Sequence, residues 1–474
     1  MSRRPLFLAL ALALPLAATV EVARAADLME TYELARLSDP QLSGAEASRL
    51  VTREGAVQAR AALLPQLDGT ATLSRSRSTS SGSSTQFDPD TGQPVAVPSV
   101  EREVESTSRN FSVNVQQMVY DRGNFTRLRS QRALSRAADF QLESAGDSLI
   151  TRTSAAYFNV LVALETLAAA QAQETALKKQ FDFADKRLEV GLAPITDVYE
   201  ARAQYDGARA NTIVTRNALE DAYQALVALT GQDIRTLKAL PEDFQPTLPG
   251  EQGAEDWVAS AMQNNPALLA QQFQVESAAA NVETARAGHL PTLYLSGGYG
   301  DQSSWSDVEF GGINFPSDSD SRGPNLGLTL RVPIFSGGLI QSQVRQALAQ
   351  RDVASFQLED QKRALVRNTR NAYQTLVAGI SEVEARKNAV LSARSAYDAS
   401  QVGLEVGTRT VLDVLNNQQT LFNAEREYAL ARYNFLQNRL LLSQAAGTVD
   451  ATTVQEINRL LTAEAQAPQV TATP

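Results

Sequence analysis

The sequence contains no cysteine and one histidine, His289. Without cysteine there is no disulfide framework, no thiolate zinc site, no thiol nucleophile and no lipidated cysteine anchor. With one histidine there is no multi-histidine metal site, and any histidine-based triad has to use His289. Both absences argue against an enzyme. Basic charge is also short: 43 Lys and Arg stand against 53 Asp and Glu, and no Lys/Arg-rich run accompanies stacking aromatics, so the footprint of a nucleic-acid binder is missing. The one long apolar run, Leu6 to Val20, follows Arg3 and Arg4 and precedes Ala23-Arg24-Ala25, the layout of a secretory signal peptide over residues 1–25. Its removal takes three arginines and one glutamate and moves the formal net charge from −10 to −12. No later window reaches 18 consecutive apolar residues. If the mature chain enters a membrane, it is expected to do so as a β-barrel.

What the sequence does contain is a duplication. Asp39-Pro40 recurs as Asn265-Pro266, and ARAALLPQL (59–67) recurs at the same spacing as ARAGHLPTL (285–293). FQLE (140 and 356), LEVG (188 and 404), Asp197-Val198 with Asp413-Val414, and Gly231 with Gly447 all share a second, slightly shorter spacing. The change of spacing falls between residues 67 and 110, where the first half is longer.

Each half has the order helix, strand pair, very long helix, turn, long helix. Residues 66–74 alternate Leu67, Gly69, Ala71 and Leu73 with polar side chains, as do 109–116 with Phe111, Val113 and Val115. In the second half Leu326, Leu328, Leu330, Val332 and Ile334 alternate, preceded by a weaker strand at Leu293, Leu295, Gly297 and Tyr299. Segments 75–108 and 301–322, rich in Ser, Gly and Asp, are expected to be long outer loops. Four strands do not close a barrel, since about eight is the smallest closed number, so several chains have to contribute.

From Asn124 to Val190 the chain has one glycine and no proline, enough for about 100 Å of unbroken helix. It reaches the turn GLAPITD (191–197), and its counterpart from Gln341 reaches GTRTVLD (407–413). Val414, Leu421, Tyr428, Phe435 and Leu442 are seven apart, as are Val198, Tyr205, Leu219 and Leu226 with Thr212 as the exception, so coiled-coil packing is expected.

DLMETYELARLSDP (27–40), AYFNVLVA (156–163), RLEVGLAPITDVYEARAQYD (187–206), GHLPTL (288–293), LEVGTRTVLDVL (404–415) and ALARYNFLQNRL (429–440) resemble the TolC-like outer-membrane channel family over nearly the whole mature chain. The resemblance implies a mainly α fold with membrane β: a homotrimer whose chains each give four strands to one 12-stranded barrel, continued by a long α-helical coiled-coil barrel. It implies an exit duct in the outer membrane. A periplasmic adaptor (membrane fusion protein) and an inner-membrane ABC, RND or MFS-type transporter would load it with drugs, small molecules or proteins. The absence of cysteine after the signal segment implies attachment to outer-membrane lipid by the barrel alone. The segments are then 26–65 helical, 66–120 first strand pair, 121–230 first hairpin, 231–253 equatorial linker, 254–290 helical, 291–335 second strand pair, 336–446 second hairpin, and 447–474 equatorial segment and disordered tail.

By the same resemblance Gln180, Thr196, Asp197 and Arg409 match a network of polar links that closes the periplasmic end, with an Asp197–Arg409 ion pair as its chemically reasonable core. Asp413 matches an acidic ring at the constriction; one turn on, Asn416 stands where relatives often carry a second aspartate, and Leu404 replaces a tyrosine. Gly191, Pro194, Gly407 and Thr408 match the turns where adaptor tips dock. His289 is expected to be structural at a helix-to-strand junction, and Asp318 and Asp320 lack the spacing of a calcium loop. A soluble periplasmic coiled-coil adaptor is the competing reading, but it should carry one hairpin between compact β domains.

Overall fold

The computed structural model describes residues 25–465 apart from Thr91, Ala193, Glu251, Gly311 and Gly312. All but the last residue of the expected signal segment, and the tail from residue 466, lie outside the described residues. The elements in order are α1 (Leu28–Ser38), α2 (Pro40–Ala61), β1 (Gln66–Phe87), β2 (Pro94–Tyr120), α3 (Arg122–Glu189), α4 (Ile195–Thr230), β3 (Leu237–Ala239), α5 (Ala254–Asn264), α6 (Pro266–Ala287), β4 (Thr292–Phe310), β5 (Ile313–Arg331), α7 (Leu339–Glu405), α8 (Val411–Ala445), α9 (Ala451–Asn458) and β6 (Ala463–Ala465). The duplication is visible in the matched lengths of α3 and α7, 68 and 67 residues, and of α4 and α8, 36 and 35. The chain packs as two compact units, one of residues 25–43, 145–264 and 366–465, the other of 44–144 and 265–365.

The second unit is built on a four-stranded antiparallel sheet in the order β1-β2-β4-β5. Its strands are much longer than the apolar alternation alone predicts. The segments expected to be loops, 75–108 and 301–322, are mostly ladder: Arg75 pairs with Thr107, Ser80 with Arg102, Ser306 with Ser317. The reason is cross-strand pairing by polar side chains, which stabilises an antiparallel ladder without apolar residues. Thr70 and Ser112 share a hydroxyl hydrogen bond at 2.7 Å, Ser74 and Ser108 another at 2.7 Å, Arg75 meets Glu105 at 3.2 Å, and Arg77 meets Glu103. Only short connections remain, and Gly92 at φ +66° turns the first of them.

Register separates the two faces of this sheet. One carries Leu67, Leu73, Phe111, Val113, Val115, Leu295, Tyr299, Leu326, Leu328 and Leu330; the other carries Asp68, Thr70, Thr72, Asn110, Ser112, Asn114, Ser296, Gln302, Asn325 and Thr329. The apolar side chains are largely exposed, Leu326 at 82% and Leu67 at 73%, so the face is apolar without being a core. On the polar face the amides of Asn114 and Asn325 lie over Gly298, where a Cβ would come within 2.9 Å of each oxygen. Trp305, expected in an outer loop, sits in β4, and the guanidinium of Arg109 lies between its ring and that of Phe111 at 6.0 and 5.3 Å.

The first unit holds the main hydrophobic core, formed by Leu28, Tyr157, Leu161, Leu164, Leu226, Leu237, Tyr433, Leu436, Leu440 and Ile457 with their neighbours. Tyr157 ties the short elements to α3: its hydroxyl donates to the Lys238 carbonyl at 2.7 Å and accepts from the Lys238 amide at 2.9 Å. Burial pushes this phenol far above its ordinary value. Ala465, the first residue of the tail expected to be disordered after Glu464, instead pairs with Leu237, beside the pair of Glu464 with Lys238. A window of α3 is long and apolar enough to cross a membrane, with mean hydropathy 1.3, but more than half of it is buried inside the protein, as in a core helix.

The expected heptads are the packed faces of α4 and α8. Val198, Leu219 and Leu226 are buried, as are Val414, Leu421, Phe435 and Leu442. Thr212, the break in the stripe, is buried with them because its hydroxyl donates to the Ala208 carbonyl at 3.1 Å.

Candidate gating and docking sites at the two hairpin turns

Both long helices end in the same cap. At the first turn the Leu192 amide donates to the Arg187 carbonyl at 2.8 Å and the Gly191 amide to Leu188 at 2.9 Å; at the second, Thr408 donates to Gly403 at 2.8 Å and Gly407 to Leu404 at 3.2 Å. This pair of hydrogen bonds with a left-handed residue at its hinge satisfies the orphan carbonyls of a helix end. Gly191 and Gly407 supply that residue at φ +73° and +77°, a conformation that costs a side chain-bearing residue roughly 1–2 kcal/mol.

The returning helices begin differently. Thr410 caps α8 with a complete capping box: the Asp413 amide donates to the Thr410 hydroxyl at 3.2 Å, and the Thr410 amide donates back to Asp413 Oδ2 at 3.0 Å. The Thr410 hydroxyl reaches the same carboxylate at 2.9 Å. The Thr410 backbone bond, then its side-chain bond and the nearby Arg409 charge, hold the Asp413 carboxyl below the usual carboxylate range. In α4 the equivalent cap is Pro194, which has neither an N–H nor a hydroxyl and makes no side-chain cap. Asp197, at the place of Asp413, is therefore released from capping and stands half-exposed in the first turn of α4 beside exposed Thr196.

Beneath the first turn Ala184, Val198 and Ala201 are buried with Phe181 and Leu188 around them, and Phe181 stacks on Tyr205 with centroids 6.2 Å apart. Gln180, one residue before Phe181, has a buried Nε2 with no hydrogen-bond partner among the described residues. In the second turn the Arg409 side chain lies across Gly403, where a Cβ would meet its Cγ at 2.6 Å, and Leu404 is half-buried beside it. Asn416 is exposed on α8. The structure thus places Thr196 and Asp197 at one turn, with Gln180 several helical turns further down α3, and Arg409, Thr408 and Asp413 at the other. It forms no Asp197–Arg409 ion pair within one chain among the described residues. Sequence reasoning missed Thr410 and Gly403. The first was accessible as Thr-x-x-Asp ahead of an apolar heptad; the second, needed for the passage of a neighbouring side chain, has no local signal.

A sheet with an exposed apolar band on one face, joined to duplicated long helical hairpins, defines a subunit of a membrane duct. The family model described as outer membrane efflux protein matches residues 31–232 and 257–448, two stretches whose starts and ends are displaced by the same two spacings as the internal repeat. The chain belongs to this family, and it is an outer-membrane exit duct. It is 35% identical over 444 residues to outer membrane protein TolC of Escherichia coli, covering 93% of this chain and 86% of that one. It is 30% identical over 434 residues to the alkaline protease secretion protein AprF of Pseudomonas aeruginosa, covering 91% and 86%. Among solved structures, the outer membrane protein VceC of Vibrio cholerae shares the fold with a TM-score of 0.68 at 20% identity, covering 89% of this chain and 96% of that one. The CmeC outer membrane channel of Campylobacter jejuni does so at 0.70 and 18%, covering 92% and 90%. These relatives are channels, not enzymes.

Proposed function

We propose that three copies of this chain close a 12-stranded barrel in the outer membrane and a helical tunnel beneath it, and that the two hairpin turns gate the tunnel's periplasmic end. The observation that carries the trimer is the sheet: among the described residues β1 and β5 pair on one side only, along 22 and 19 residues. Long unpaired edges of this kind invite further strands, and an exposed apolar face calls for lipid. The inference is tested on detergent-extracted protein, whose mass should be that of three chains and whose mobility in dodecyl sulfate gels should shift on heating. A monomer recovered wholly from the soluble periplasmic fraction would overturn it.

Within the trimer, Asp197 and Arg409 pair between neighbouring chains, Thr196 and Gln180 add polar links, and Asp413 with Asn416 lines the constriction. The freedom of the Asp197 carboxylate supports this assignment, and the weakness of an exposed ion pair, about 0–1 kcal/mol, suits a gate that has to open. Gly191, Pro194, Gly407 and Thr408 receive the tips of a periplasmic adaptor, through which an inner-membrane ABC, RND or MFS-type pump delivers drugs, small molecules or proteins. The duct itself uses no cofactor or metal.

A further inference from the structure

Where the sheet meets the helices, the second unit holds a cavity of about 810 Å³, within the range of roughly 300–1,000 Å³ usual for small-molecule sites. Its walls are the bases of β2, β4 and β5 on the hydroxyl and amide face, the start of α3, the end of α6 and the start of α7. Two arginines line it from opposite sides. Arg127 lies in the second turn of α3, which follows β2, and Arg331 ends β5, with β4 between those two strands. Arg331 pairs with Thr292 and shares its face with Thr329 and Tyr294; it is the only charged residue that this face carries on β4 and β5. Both arginines are exposed, and neither has an ion-pair or hydrogen-bond partner among the described residues. Arginines on nearby turns of α3 and α6 do have partners: Arg129 meets Glu276 at 4.0 Å and Arg286 meets Glu283 at 2.8 Å.

One carboxylate lines the cavity among the described residues, and it is already engaged. Asp121 Oδ1 accepts from the amides of Gly123 at 2.8 Å and Asn124 at 3.4 Å, and its Oδ2 accepts from the Asn124 side chain at 3.2 Å and the Tyr294 hydroxyl at 2.8 Å. These bonds close the start of α3, so the helix end is spent on Asp121 and Asp121 on the helix end. Two guanidinium groups therefore stand against one carboxylate, with a net positive charge left over. The bases of β2 and β5 are two strand spacings apart, about 10 Å, a gap that two arginine side chains close around one anionic group. Each guanidinium offers a planar fork of donors that fits a carboxylate, sulfonate or phosphate. Leu290, Leu339 and Ile340 add apolar surface on the helix side. We propose that this cavity is a binding subsite for organic anions on the inner wall of the duct: Arg127 and Arg331 grip the charged group, and the apolar body rests on Leu290 and Leu339. This rests on the trimeric reading above, which turns the hydroxyl face inward and repeats the subsite three times around one axis.

The chain has no cysteine, so Thr329→Cys places a single thiol in the cavity. Asn110→Cys, farther out on the same face, is the reference. In outer-membrane vesicles, each thiol is modified with an anionic sulfonatoethyl and a cationic trimethylammonioethyl methanethiosulfonate, and each rate is divided by that of free mercaptoethanol. The anionic reagent should be favoured about tenfold at Thr329→Cys relative to Asn110→Cys, as in a cleft lined by positive charge. Naphthalene-2-sulfonate should slow modification of Thr329→Cys and leave Asn110→Cys unchanged, whereas naphthalene-2-sulfonamide, neutral and of nearly the same size, should slow neither. Arg127→Gln with Arg331→Gln should remove both effects; where the double variant does not assemble, Arg331→Gln alone should weaken both. Heat-modifiable trimers are scored in every sample. With trimers present, absence of either effect at Thr329→Cys, equal protection by the sulfonamide, or persistence of either effect at full size in the arginine variants overturns the subsite. Absence of trimers from the unsubstituted protein overturns the trimeric reading and this proposal with it.

Discussion

Pro194 and Thr410 occupy the same place in the two copies of one hairpin, as far apart as Asp197 and Asp413, and their difference decides what the aspartate three positions later does. Thr410 engages Asp413 in a capping box; Pro194 leaves Asp197 free. Thr410→Ala should speed hydrogen exchange in the first turn of α8 and leave α4 unchanged. Pro194→Thr should build the missing box, occupy the Asp197 carboxylate and raise single-channel conductance toward that of Asp197→Ala; conductance equal to the parent would show that the carboxylate holds no gate contact. A second residue-scale case is the buried Asp39, which accepts from Arg152 at 2.7 Å and from the Leu42 amide at 3.0 Å. Burial pushes its carboxyl up, but the Arg152 ion pair and the backbone bonds outweigh it and hold the value below the ordinary one. A lowered carboxyl adds stability that is full above the unfolded value of about 4 and is lost as pH falls through the folded value. Arg152→Met should therefore cost about 1–3 kcal/mol at neutral pH, for a buried group left unpaired, and the gap to the parent in urea melts should narrow below pH ~4. A gap independent of pH would remove the ion pair as its cause.

The elements were legible in the sequence in proportion to how much of their stability is apolar or negative. The long helices are announced by the absence of proline and the near-absence of glycine, and the turns by Gly191 and Gly407. The strands are announced only where one face is apolar; their outer halves are rich in serine and in ions, and the ladder that holds them depends on partners far along the chain, such as Arg77 with Glu105 and Arg109 with Ser303. Alternation cannot report a pairing made with another strand. The same limit applies to the turns. Their caps are local and readable, whereas the Asp197–Arg409 link proposed above, which one chain does not form among the described residues, would lie between chains. At this scale the test is single-channel conductance in planar bilayers: Asp197→Ala and Arg409→Ala should each raise it, and the double variant should raise it no further than the larger single one, as expected for one shared contact. Unchanged conductance in both single variants would remove the two residues from the gate.

For the whole molecule, the two faces of one sheet carry separate tasks, and substitutions on them should fail in different ways. Leu328 lies in the apolar band, on β5 opposite Leu295. Placing a charge there faces lipid in the assembled barrel, and Leu328→Arg should cost about 2–4 kcal/mol per chain near the midplane. Every copy in a trimer carries the change, so assembly multiplies the penalty threefold, and the expected outcome is loss of heat-modifiable trimer from the outer-membrane fraction. Gln302 lies opposite Asn110 and Ser321 on the inner face. Gln302→Lys should leave trimer yield unchanged, since the added ammonium stays in water, while three such groups around one axis shift the open channel toward anions. The reversal potential under a salt gradient reads that shift. If Gln302→Lys abolished the trimer and Leu328→Arg did not, the faces would be assigned the wrong way round, and the barrel would have to close with its hydroxyls toward lipid, which the cost of unsatisfied polar groups in hydrocarbon forbids.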